Sequence, residues 1–209
     1  MIDLNTWLLF VAAEFALCVS PGPAVLYVSS HGLSGGVRSS ICANLGIVTG
    51  NVIYFMLSAI GIGSLILASH NLFLVVKWCG VGYLVWLGLR MLTSSASISA
   101  LTPTNRLPLS AIYRGGVVVQ LANPKNLVFF LAILPPFIDE TGSVLLQILI
   151  LGLTSQVIEF LTLLSYGAAA GGIGRLIRTS WLGDWVNRAT GSALIAIGVG
   201  LAFIRRADT

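Results

Sequence analysis

The sequence predicts an all-α integral membrane protein: six transmembrane helices forming two inverted three-helix repeats, with the first and fourth helices broken. Three observations carry that expectation: a shortage of charge, apolar runs of membrane length, and a proline-marked break that recurs in each half. Among 209 residues there are 11 Lys and Arg and 7 Asp and Glu, while 56% are apolar. A soluble domain carries roughly 25% charged residues, so this chain cannot cover a globule with a polar surface. A lipid bilayer suits it as solvent. Residues 39–76, 141–158 and 189–204 contain no Lys, Arg, Asp or Glu, and a spanning helix needs about 20 mainly apolar residues.

The apolar runs fall at about Leu4–Ser30, Ser39–Ala68, Leu72–Leu92, Ala111–Phe137, Val144–Ala170 and Asp184–Ile204. The first reads as a retained span and not as a secretory signal. It opens with Asp3 and no Lys or Arg, contains Glu14, lacks an A-x-A site and runs on past SPGP. The most polar stretch, Thr93–Ser110, has the Ser, Thr and Pro content of an exposed linker. It divides a single transmembrane domain, 1–209, into a first repeat of about 1–92 and a second of about 111–209.

Three matches in the same order support the repeat. SPGP (Ser20–Pro23) corresponds to ANPK (Ala122–Lys125). Gly46 and Gly61 recur as Gly152 and Gly167, again fifteen residues apart. KWCG (Lys77–Gly80) corresponds to RATG (Arg188–Gly191). Because three helices is an odd number, the second half enters the membrane from the opposite side. In transporters of that plan the substrate site lies near the midplane, at helices interrupted in corresponding places. Orientation follows from cations in short loops. Arg38, Arg90, Arg106, Arg114, Arg175 and Arg178 fall on one side, against Lys77, Arg205 and Arg206 on the other. That balance puts both termini in the periplasm.

Pro21, Gly22 and Pro23 cannot sit in an unbroken helix, since proline removes a donor and costs about 3 kcal/mol in a helix interior. Backbone freed at membrane depth is tolerated where protein or a wet cavity satisfies it. The same holds for Asn123 and Pro124 in the fourth span. Ionisable residues inside spans cost about 2.5–3.5 kcal/mol each on insertion scales and are usually functional. Here they are Glu14, Lys125 and Glu159, for which the bland reading is a structural ion pair or a snorkelling side chain. Asn51 and Tyr54, one turn apart in the second span, would face the same cavity, whereas Gly46 and Gly50 suit close helix packing. His31 and His70 fall at predicted helix ends and read as interfacial.

With those residues in place, the chain resembles the LysE/RhtB family of bacterial amino-acid exporters. The resemblance rests on SPGPAVLYVSSHGLSGGVRSS, then KWCGVGYLVWLGLRML (Lys77–Leu92), then NPKNLVFFLAILPPFI (Asn123–Ile138), and covers nearly the whole length. It implies proton-driven efflux of amino acids or close derivatives across the inner membrane by a six-helix protein that forms a homodimer. Carried over by position, it points to Pro21, Gly22, Pro23, Asn123, Pro124 and Lys125. Two positions depart from the pattern: Ala24 where many members have Asn, and Asn51 where many have Asp. Proton coupling then falls to Glu14 and Glu159.

Other functions fit less well. A nucleotide-driven pump would need GxxxxGK[ST], which the sequence lacks. A redox carrier would need cysteines in both halves, but Cys18, Cys42 and Cys79 all precede residue 80. No CxxC or Cys–His pairing suggests a disulfide, a metal site or another cofactor. The cations are scattered with no basic stripe, which disfavours nucleic acid. An exporter of another small solute, such as a metal cation, is the closest alternative. It would want more Asp, Glu or His at one cavity.

Overall fold

Two long helices organise the computed structural model: α2 (Pro23–Ala68) and α6 (Val144–Ile173). They hold the two stretches, among the described residues, that are long and apolar enough to cross a membrane. These are Pro23–Ala59, with mean hydropathy 1.5, and Val144–Ala170, with 2.0. Around them stand α1 (Leu4–Val19), α3 (His70–Thr93), α4 (Leu109–Leu121), α5 (Pro124–Val128) and α7 (Ser180–Phe203). A π turn (Phe129–Ile133) and a 3-10 turn (Pro135–Phe137) follow α5. The structure describes residues 2–68, 70–93, 107–139, 142–173 and 180–203, which form no strand. Most of the predicted linker, and the loop residues Arg106, Arg175, Arg178, Arg205 and Arg206, lie outside them.

Several predicted boundaries shift. The loop expected between the first two spans contracts to Gly36, whose φ of 70° and ψ of −169° interrupt α2 without ending it. A positive φ of that size is open to glycine at little cost. His31, expected at an interface, is instead buried and packs edge-on against the Tyr27 ring, centroids 4.5 Å apart. Leu109 and Ser110, assigned to the linker, begin α4, because Pro108 sets the extended N-cap from which a helix starts. The last helix begins at Ser180 and not at Asp184.

α2 packs along α6 and α4, α3 packs on α7, and α1 lies against α6 and α7. The close approach expected of Gly46 and Gly50 is made against α4. A Cβ added to Gly46 would stand 2.2 Å from the Tyr113 carbonyl oxygen, and one on Gly116 would stand 2.5 Å from that of Ala43. The two backbones touch, so any side chain there would force them apart. One apolar cluster gathers Phe10, Leu84, Phe129, Phe137, Leu151 and Leu194, and a second gathers Val28, Ile47, Ile112 and Leu163. Outward faces are equally apolar: Leu8, Phe15, Met56, Leu153 and Leu161 are all exposed. Helices apolar on both inner and outer faces suit lipid surroundings.

Candidate functional site

Both expected breaks are present. α1 stops at Val19 and α2 resumes at Pro23; α4 stops at Leu121 and α5 resumes at Pro124. A helix that ends inside a protein leaves carbonyl oxygens that need donors, and side chains from distant elements supply them. The Tyr166 hydroxyl donates to the Val19 carbonyl at 2.8 Å, and the Tyr54 hydroxyl donates to that of Leu121 at 2.7 Å. Lys125 Nζ donates to the carbonyls of Leu17 (2.7 Å) and Ser20 (3.2 Å). Its ammonium thus sits at the carboxyl end of α1, where the helix dipole favours a cation. Asn123 caps α5 with its own side chain, accepting from the Lys125 amide at 3.1 Å, while Pro124 occupies the first turn, where no donor is missed.

The two carboxylates expected inside spans, Glu14 and Glu159, are buried and hydrogen-bonded in different ways. Glu14 Oε1 accepts from the Ser155 hydroxyl and from the Cys18 thiol, the latter at 3.6 Å. Glu159 accepts on both oxygens: Asn51 Nδ2 donates to Oε2, and Gln120 Nε2 donates to Oε1 at 3.0 Å. Gln120 Nε2 also donates to Asn51 Oδ1 at 3.0 Å, which closes a triangle linking α2, α4 and α6. A charge taken out of water is tolerated only when its hydrogen-bonding capacity is met in this fashion. The ion pair considered for Lys125 is replaced by its bonds to main-chain carbonyls.

Between the breaks lies a cavity of about 30 Å³, lined by Glu14, Glu159, Lys125, Gln120, Asn123 and Asn126. Its apolar walls, among them Leu17, Ala24, Phe129 and Leu163, come from both clusters. Such a space holds about two water molecules, so an amino-acid-sized solute enters only if the helices part.

Of the residues expected from sequence, Glu14, Asn123, Lys125 and Glu159 reach this cavity. Asn51 and Tyr54 do not line it; they act one contact away, through Glu159 and the end of α4. Pro21 and Pro23 are exposed, and Gly22 leaves room beside Lys125, whose Nζ would be 3.5 Å from an added Cβ. Pro124 is exposed as well. Gln120, Asn126, Ser155 and Tyr166 join the site without having been singled out. Gln120 carried a usable signal, being the one polar side chain in the run GGVVVQLA that leads to the break.

A family model described as LysE type translocator matches residues 15–205. An uncharacterized membrane protein of Vibrio cholerae is 35% identical over 201 residues, covering 96% of this chain and 98% of that one. A homoserine/homoserine lactone efflux protein of Salmonella typhimurium is 29% identical over the same shares. A leucine efflux protein of an Enterobacter strain is 33% identical over 168 residues, covering 76% of this chain and 75% of that protein. No solved structure matches the chain. With a match over nearly its full length, the chain belongs to the LysE type translocator family, and it is a bacterial membrane transport protein and not an enzyme.

Proposed function

We propose that this protein exports amino acids or close derivatives, coupled to protons, by alternating access to the cavity between its two broken helices. The observation that carries the proposal is the cavity itself, where two buried carboxylates and a lysine converge on paired helix breaks. A zwitterion fits that pattern of charge. The amino-terminal turn of α2, with Ala24 and Val25 at the cavity, offers backbone amides to a carboxylate, and Lys125 reinforces them. Glu159, seconded by Glu14, attracts the ammonium and releases it on taking up a proton from outside. The efflux proteins among the relatives support the substrate class.

The same proposal includes an inverted repeat. Its support is the pairing of α2 with α6 and of α3 with α7, and the tyrosine that each half sends to the other's break. The family resemblance supports a homodimer in the inner membrane, and the loop cations support two periplasmic termini. A carboxyl-terminal alkaline phosphatase fusion should therefore be active and a green fluorescent fusion dark; the opposite pair overturns the orientation.

The function is tested in cells and then in vesicles. Overexpression should raise resistance to growth-inhibitory amino acids or analogues and lower their internal pools. In inverted vesicles under an imposed pH gradient, Glu159→Gln should reduce transport to background while the protein still inserts. Wild-type rates in both Glu159→Gln and Lys125→Ala would mean that these charges are structural.

A further inference from the structure

Two buried amide atoms at the cavity have no partner among the described residues: Gln120 Oε1 and Asn126 Nδ2. Gln120 is 1% exposed and Asn126 8%. Buried polar atoms are nearly always hydrogen-bonded in folded proteins, so an open acceptor and an open donor at one cavity point to a ligand. The orientation of Gln120 is fixed by its neighbours. Its Nε2 lies 3.0 Å from two acceptors, Asn51 Oδ1 and Glu159 Oε1. Turning the amide over would set oxygen against oxygen twice. Oε1 is therefore the atom left over.

The surroundings assign an end of the ligand to each open atom. Gln120 is bonded to the Glu159 carboxylate, which makes its side of the cavity the place for a cation. Asn126 lines the same cavity as its neighbour Lys125, whose positive charge favours an anion there. We propose that Gln120 and Asn126 are substrate-binding residues. Gln120 Oε1 accepts from the α-ammonium of an amino acid, and Asn126 Nδ2 donates to its carboxylate. The assignment rests on the amino-acid export reading above. It adds that the two ends of the substrate are read by separate neutral amides. A derivative lacking the carboxylate should therefore still bind through its ammonium.

Purified protein in proteoliposomes, given L-homoserine and L-homoserine lactone as probes, tests this. The lactone keeps the ammonium and lacks the free carboxylate. Loss of one hydrogen bond to a charged group should lower homoserine transport by Asn126→Leu on the order of tenfold, with the lactone changed by less than about twofold. Asn126→Asp should discriminate in the same direction, since it sets a second carboxylate against the first. Gln120→Met should lower both probes. The homoserine-to-lactone ratio is read within each variant, so a smaller folded fraction cancels. If the ratio is unchanged in both Asn126 variants, the amide only holds water and the assignment is overturned. If the wild-type protein carries neither probe nor L-leucine, the export reading itself falls, and this assignment with it.

Discussion

At the first break the helix stops after Val19, and at the second after Leu121; in each case a tyrosine hydroxyl from the other half of the chain takes the terminal carbonyl. Beyond that shared device the two differ. The first offers carbonyl oxygens, at Leu17 and Ser20, and continues as regular helix to Gly36. The second contributes side chains, Asn123, Lys125 and Asn126, to the cavity, and continues as a short helix, a π turn and a 3-10 turn. Proline content explains part of the contrast, because Pro135 and Pro136 close the second segment where the first has none. The lesson is a division of labour. The first break offers the site main-chain groups, and the second brings polar and charged side chains to it.

That division is open to test at Lys125, where the largest effect is expected. Lys125→Met keeps the stem and removes the ammonium from both the carbonyls and the substrate. It should lower efflux about ten- to a hundredfold, the worth of a charge-assisted hydrogen bond of roughly 1.5–3 kcal/mol. Transport by Lys125→Met near the wild-type rate would break the comparison. A smaller effect comes from the feature the breaks share. Tyr54→Phe and Tyr166→Phe each remove a single neutral hydrogen bond and should each cost about 1 kcal/mol in thermal unfolding in detergent. Equal losses would show that the carbonyl ends are equivalent; a loss several times larger in one variant would show that its tyrosine has another duty.

Much of the scaffold was legible in the sequence because proline and charge are costly inside a bilayer. SPGP and ANPK marked both breaks, and Glu14, Lys125 and Glu159 marked the cavity. What escaped was partnership. Gln120 and Asn51 meet across 69 residues, and Tyr166 and Val19 across 147. No local spacing records such contacts. In helices apolar on every face, periodicity does not say which side turns inward. The pairing of Lys125 was missed for a related reason: both carboxylates had nearer donors in Ser155, Asn51 and Gln120. Gly36 escaped because a positive φ leaves no mark beyond the glycine itself.

The triangle of Asn51, Gln120 and Glu159 has a consequence for the proposed coupling. As it stands, both carboxylate oxygens receive N–H groups, and Gln120 Oε1 is the one oxygen of the triangle that receives none. Under the proposed coupling, a proton arriving on Glu159 brings an O–H that must find an acceptor of its own. Turning the Gln120 amide over would present its oxygen to that hydrogen, at the cost of the bond from Nε2 to Asn51 Oδ1. The position that would have held an ammonium then presents N–H instead. On that proposal, proton and substrate favour opposite orientations of the same amide.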